Sequence, residues 1–202
     1  GHSAPVLLWD VMDTLVRDPF RDVMPEFFGM TLEQMMAAKH PDAWGRFERG
    51  ELDEASFLER FFADGRDFDR AGFYRAIRES YSWLAGMETL LAELAARAQP
   101  MHVLSNYPIW YRWIEQQLGI SRYVPWSFVS CHLGLRKPEP AIFGSVTRQL
   151  QLEPERCVLI DDRARNCEAA RAAGVRAIQF PGRAHELRGE LSALLPEQQA
   201  WL

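Results

Sequence analysis

Five polar residues have the types and positions to do chemistry together: Asp10, Ser105, Lys137 and the adjacent pair Asp161-Asp162. Asp10 ends the apolar run Val6-Leu7-Leu8-Trp9. Ser105 ends a similar run at 101–104, and Asp161-Asp162 ends another at 157–160. Lys137 lies between a short apolar stretch at 127–130 and a helix start at Pro138. Apolar runs too short for helices read as central strands of a parallel sheet. In open α/β sheets, ligands bind just beyond the carboxyl ends of such strands, so residues distant in sequence can line one crevice. Crowded carboxylates need a hard cation, and Mg²⁺ takes one or two carboxylates, backbone oxygens and waters. A lysine and a hydroxyl beside a cation suit an anionic phosphoryl group, and a carboxylate can attack phosphorus to form an aspartyl-phosphate.

The elements that must hold these residues alternate around one long helical stretch. After the first strand comes a loop through Asp18-Pro19, then helical patterning to about Tyr81. Thr31 is placed to cap 32–39, Pro41-Asp42 to start a short helix through Phe47, Asp53 to cap 54–62 and Asp69 to cap 70–80. The only extended feature expected there is a short hairpin near 15–16. Beyond it the pattern gives a helix at 87–98, a strand at 101–104, a helix from Pro108 to Leu118 stopped by Gly119, and a strand at 127–130. A helix at 138–150, a strand at 157–160, a helix at 165–173 stopped by Gly174, a strand at 175–180 and a helix at 185–195 complete it. This alternation implies a parallel sheet with helices on both faces.

The 202 residues suffice for one core with a sizeable insertion, and 48% apolar with 25% charged residues is ordinary for a globular protein. The net charge of −5, with arginines scattered among acids, speaks against a nucleic-acid partner. No apolar run approaches the roughly 20 residues needed to span a bilayer. Cys131, Cys157 and Cys167 show no metal-ligand spacing and read as free thiols in a reducing compartment. Gly1-His2-Ser3 reads as the scar of a cleaved tag. The expected location is the cytoplasm, or an organelle stroma if a targeting segment has been removed, and the expected assembly is a monomer or homodimer.

Four motifs in order carry a resemblance to a known family: Trp9-Asp10-Val11-Met12-Asp13-Thr14-Leu15, Leu104-Ser105-Asn106, Gly134-Leu135-Arg136-Lys137-Pro138-Glu139-Pro140, and Leu159-Ile160-Asp161-Asp162 with Asn166 and Gly174 following. Together they resemble the haloacid dehalogenase-like (HAD) superfamily over nearly the whole chain, with the helical stretch similar to its type 1 cap. The resemblance implies a Rossmann-like α/β core of five parallel strands at 4–16 and 85–202, with an inserted α-helical cap at 17–84. It implies Mg²⁺-dependent hydrolysis of a small phosphorylated substrate through an aspartyl-phosphate. Asp10 would be the nucleophile and a metal ligand, the Met12 carbonyl a second ligand, and Asp162 a third, with Asp161 supporting the metal site or Lys137. Ser105, aided by the Asn106 backbone, would bind a phosphoryl oxygen. Lys137 would neutralise charge, and Thr14 would orient the turn.

One position departs from the pattern. Family phosphatases usually carry a second Asp where this chain has Met12, and that Asp protonates the leaving group and then activates water. A general acid–base group contributes about 10²–10⁴-fold. The nearest substitute in sequence is Asp13, whose plainer reading is a turn residue bonding its own backbone. Haloacid dehalogenases also lack the second Asp and need no metal, so Met12 leans toward them while Asp161-Asp162 leans against. A phosphometabolite binder without turnover is the non-enzyme alternative.

Thirteen of the chain's 24 aromatics lie between Arg17 and Leu90, mostly at helical spacing expected of a cap core. The run Tyr107-Pro108-Ile109-Trp110-Tyr111 follows the second motif, with Tyr107 and Trp110 expected near the crevice mouth as substrate contacts. This run and the altered first motif resemble a HAD subgroup of plastids and bacteria associated with flavin mononucleotide hydrolysis. An aromatic-rich cap would suit its isoalloxazine ring. The histidines show no zinc pattern, Cys131 reads as structural, and Arg163 reads as a partner of the acidic pair or a solvated helix start.

Overall fold

The computed structural model describes residues 4–195; Gly1-His2-Ser3 lie outside them. Five strands, β1 (Val6–Trp9), β2 (Met101–Ser105), β3 (Phe128–Val129), β4 (Cys157–Asp161) and β5 (Arg176–Gln179), form one parallel sheet in the order β3-β2-β1-β4-β5. β1 is apolar throughout because both of its faces are covered: Leu7 and Trp9 join one apolar cluster and Leu8 the other. Trp9 is level with Val103 of β2 and Ile160 of β4. The next residue, Asp10, donates its backbone N–H to the Ile160 carbonyl at 3.0 Å. That register brings the carboxyl ends of three strands to one place.

Helices α1 (Val23–Phe27), α2 (Leu32–Ala38), α3 (Ala43–Glu48), α4 (Glu54–Glu59) and α5 (Arg70–Ser80) follow β1. Then come α6 (Met87–Ala96), α7 (Tyr111–Leu118), α8 (Ser130–Leu133), α9 (Pro140–Leu150), α10 (Ala164–Ala172) and α11 (Ala184–Leu194). Buried residues of α6, α7 and α11 cover one face of the sheet, and those of α9 and α10 the other. The caps read from sequence form. Asp53 and Asp69 accept from the N–H groups of Ser56 and Gly72, and Thr31 closes a capping box with Gln34.

Several boundaries differ from the sequence expectation for local reasons. α4 stops at Glu59 because the following residues pair elsewhere: His40 N donates to Phe61 O, and Ala63 N to Ala38 O. α7 starts at Tyr111 because Pro108–Trp110 form a preceding turn, Tyr111 N donating to Pro108 O at 3.0 Å. Ser130 leaves the third strand to open α8, and α9 begins at Pro140 after a turn closed by Glu139 N and Arg136 O. No hairpin forms at 15–16. Val16 pairs antiparallel with Trp83, flanked by Arg17 N to Ser82 O and Leu84 N to Leu15 O. These bonds join the two ends of the α1–α5 segment across a distance in sequence that no hairpin pattern signals.

Most aromatics of the α1–α5 segment pack into the apolar core. Phe28 packs against Phe27, Phe61, Phe62, Phe68 and Phe73 with centroids 4.8–5.5 Å apart. The segment is also fastened to the sheet side by polar bonds. Ser130 Oγ donates to Glu48 O at 2.5 Å, Trp110 Nε1 donates to Glu54 Oε2 at 2.7 Å, and Arg49 pairs with Glu139.

Candidate active site

Lys137 is the hub. Its side chain is fully buried, and Nζ donates to Asp10 Oδ1 at 3.0 Å, Asp161 Oδ2 at 2.7 Å and Leu104 O at 2.7 Å. Three donors therefore meet three acceptors. Asn106 fixes the backbone of this residue from both sides, donating Nδ2 to Lys137 O at 2.8 Å and accepting Lys137 N on Oδ1 at 2.7 Å. Thr14, also buried, donates Oγ1 to Asp10 Oδ2 at 2.7 Å and lies 3.5 Å from Asp162 Oδ1. Both oxygens of Asp161 are engaged: Oδ1 accepts Arg163 N at 2.9 Å, and Oδ2 also accepts Asn166 Nδ2 at 3.1 Å.

Ligand atoms of Asp10, Asp161 and Asp162 lie within 4.8 Å of one another. Three carboxylates around one ammonium leave an excess of two negative charges. Burial raises the Asp10 carboxyl well above its ordinary range, with Asp161 adding to the rise and Lys137 opposing it. Burial likewise raises Asp162. Asp161 ends below its ordinary range, because Lys137 and the bonds from Arg163 and Asn166 outweigh its burial. Burial disfavours charge on Lys137, but Asp10 and Asp161 prevail and raise it. The residues fit a divalent cation: the donors are all oxygen, suited to a hard ion, and its charge would cancel the excess. Ser105 Oγ is buried with no hydrogen-bond partner among the described residues, as a hydroxyl awaiting an acceptor or donor would be.

A cavity of about 50 Å³ opens beside this cluster. The loops at the sheet ends contribute Asp10, Met12, Asn106, Tyr107, Asp162 and Arg163, and α10 contributes Asn166. Arg136 comes from the loop before Lys137, and Asp18, Trp44 and Glu48 come from the segment after β1. Thus Asp10, Met12, Asn106, Tyr107 and Asp162 line one space, with Lys137 and Asp161 behind them. Tyr107 is held there by its hydroxyl, 2.7 Å from that of Tyr81, and by its N–H, which donates to Ser130 Oγ.

Two of the expected site residues are placed away from this cavity. Trp110 does not line this cavity. It is 1% exposed and stacks on Trp113 with centroids 4.8 Å apart, because the turn at Pro108–Trp110 directs its ring into the aromatic core. Asp13 does not line it either. Its backbone is left-handed at φ 59°, and its carboxylate accepts Asp18 N on Oδ1 at 3.1 Å and faces Arg21 at 3.6 Å, the turn role that its position also suggested. Cys131 is a free, half-buried thiol that burial pushes up to about 11, in keeping with a structural residue.

Asp18, Glu48 and Arg136 are cavity residues to which sequence gave no role. Glu48 is 3% exposed, raised by burial, and pairs with Arg136 at 3.5 Å. The one signal for it was a carboxylate four residues after Trp44 within an apolar helix. For Asp18 the only signal was its place in the first loop.

The profile of the haloacid dehalogenase-like hydrolase family matches residues 5–174. The chain is 46% identical over 193 residues to flavin mononucleotide hydrolase 1, chloroplastic, of Arabidopsis thaliana, covering 96% of this chain and 78% of that protein. Among solved structures, a HAD-family enzyme of Bacteroides thetaiotaomicron, a variant in complex with magnesium and inorganic phosphate, superposes with TM-score 0.74 at 19% identity, covering 92% of this chain and 99% of that one. L-2-haloacid dehalogenase of Xanthobacter autotrophicus superposes with TM-score 0.64 at 14% identity, covering 94% and 83%. At these identities the two structures speak to fold.

Proposed function

This chain belongs to the haloacid dehalogenase-like hydrolase family and is a hydrolase; from that premise we propose that it cleaves a small phosphomonoester, with flavin mononucleotide as the substrate. The observation that carries the reading is the cluster of Asp10, Asp161 and Asp162 around Lys137, with its excess of two negative charges. Mg²⁺ would be held by Asp10, the Met12 carbonyl and Asp162, with Asp161 behind them fixing Lys137, and when bound it supplies charge neutralisation for a phosphoryl dianion. Asp10 attacks phosphorus and becomes the aspartyl-phosphate. Lys137, already bonded to Asp10 Oδ1, steadies the charge on that group. Ser105 Oγ donates to a phosphoryl oxygen, and Asn106 keeps the lysine backbone in register.

Residues 17–84 are proposed as the cap and 4–16 with 85–202 as the core, of which 196–202 lie outside the described residues. The catalytic cavity adjoins spaces of about 250 and 400 Å³ that share Trp44 and Arg136 with it. An indole face and a guanidinium there favour a flat, anionic substrate. The 46% identity to a flavin mononucleotide hydrolase supports the same substrate. Among the described residues no helix is long and apolar enough to cross a membrane. The compartment proposed is the cytoplasm or an organelle stroma, and the assembly a monomer or homodimer.

The test is phosphate release from flavin mononucleotide and from a phenolic phosphate, with Mg²⁺ and with EDTA, beside halide release from a 2-haloacid. Phosphate release that EDTA abolishes and Asp10→Asn removes is expected. Halide release indifferent to EDTA would replace the phosphatase reading with the dehalogenase one. Thermal stabilisation by flavin mononucleotide without phosphate release would leave only a binder.

A further inference from the structure

The missing acid at Met12 leaves a chemical gap. Cleaving an alkyl phosphate expels an alkoxide unless a proton arrives, and Met12 carries none. The replacement must line the cavity beside Asp10, stand where the leaving group exits, and have a carboxyl oxygen not already committed. The way out is defined by Asp18, Trp44, Glu48, Arg136 and Arg163, which line both the small cavity and the larger one adjoining it. Two carboxylates stand in this neck. Glu48 is committed to Arg136. Asp18 accepts only its own turn N–H, that of Phe20, on Oδ1 at 3.0 Å, and Oδ2 takes no hydrogen bond among the described residues. Asp13, the nearer candidate by sequence, instead anchors the Asp18 backbone N–H and so helps to set its position.

Resting on the phosphohydrolase reading above, we propose that Asp18 is the general acid and base of this enzyme, acting from the first turn of the inserted segment in place of the side chain absent at Met12. In the first half-reaction Asp10 forms a bond to phosphorus as the bond to the leaving oxygen breaks, and the Asp18 carboxyl gives its proton to that oxygen, releasing an alcohol. In the second, the Asp18 carboxylate takes a proton from water, whose oxygen attacks phosphorus. The bond to Asp10 breaks, inorganic phosphate leaves, and both side chains return to their starting states. The environment suits the task. Burial raises Asp18 to about 6, with Asp13 adding to the rise and Arg163 and Arg21 opposing it, near the working range for proton transfer. Glu48, Tyr81 and Tyr107 also face it, and Lys39 and Arg136 share its cavity wall.

The experiment compares flavin mononucleotide, with an alkoxide leaving group, against p-nitrophenyl phosphate, whose leaving group needs no proton, in Mg²⁺. Asp18→Asn should lower kcat/KM, which reports the first half-reaction alone, on the flavin by about 10²–10⁴-fold, but on the nitrophenyl ester far less. The ratio of the two rates within one preparation is independent of how much protein is folded. The fall of the flavin rate as pH rises through the Asp18 range should vanish in this variant, and Met12→Asp added to it should restore the flavin rate. Glu48→Gln should leave the ratio unchanged. Equal losses of kcat/KM on both substrates in Asp18→Asn, or a selective loss in Glu48→Gln instead, would overturn the assignment. Absence of Mg²⁺-dependent phosphate release by the unsubstituted protein would overturn the hydrolase reading itself, and this inference with it.

Discussion

Replacing Lys137 by Met tests whether the site is held together by one buried charge. Methionine nearly fills the lysine volume, so the change is mainly electrostatic. It removes three hydrogen bonds and the ammonium that faces Asp10 and Asp161, at a fully buried position. Breaking a buried ion pair from one side costs about 3–5 kcal/mol, and the Leu104 carbonyl left without its donor adds to it. Protonation limits the loss. Each carboxylate can take a proton, which at pH 7 costs about 4 kcal/mol from an ordinary value of 3.8 and about 1.4 kcal/mol less for every unit the pH falls. In the unsubstituted protein Asp161 is held low, so its contribution is present above its unfolded value and fades as pH falls through its lowered one. Without Lys137 that shift reverses, and the penalty is largest near neutrality and relieved by acid. The raised Lys137 contributes fully below its unfolded value, so its own titration is silent from pH 5 to 8. Urea unfolding in EDTA should therefore show a loss of about 3–5 kcal/mol at pH 7.5, and a clearly smaller one at pH 5. Thermal midpoints should fall by roughly 2–4 °C per kcal/mol. A loss below about 1 kcal/mol, small beside a broken buried pair, or the same loss at both pH values, would refute the reasoning.

Three further substitutions probe how the inserted helices meet the core. Gly50 has φ +74°, and a Cβ there would lie 2.2 Å from the Cys131 carbonyl oxygen, whereas Gly65, at φ +72°, has no atom within 4 Å of such a Cβ. Gly65→Ala should cost only the left-handed strain of about 1–2 kcal/mol, and Gly50→Ala clearly more; equal shifts in thermal unfolding would show that the contact yields freely. Trp110→Ala should cost about 3–5 kcal/mol in urea unfolding, since this ring is 1% exposed among Phe47, Phe57, Phe73 and Trp113. A near-neutral result would place it outside the core.

The chain alone determined the alternation of strands and helices and the address of the site. Short apolar runs ending in Asp10, Ser105 and Asp161 are local patterns, and burial on both faces of a parallel strand writes them directly into sequence. Capping residues such as Thr31, Asp53 and Asp69 were legible for the same reason, since they bond within one turn of themselves. What tertiary structure decided was direction and partnership. Whether Trp110 faces a crevice or a core depends on a turn and on rings tens of residues away. Whether Asp13 or Asp18 reaches the cavity depends on which carboxylate the loop spends on its own backbone. The pairing of Val16 with Trp83 and of Glu48 with Arg136 joins residues with no periodic relation. A side chain's type and spacing limit the chemistry it can do, but its free oxygen and its neighbours exist only once the chain has closed on itself.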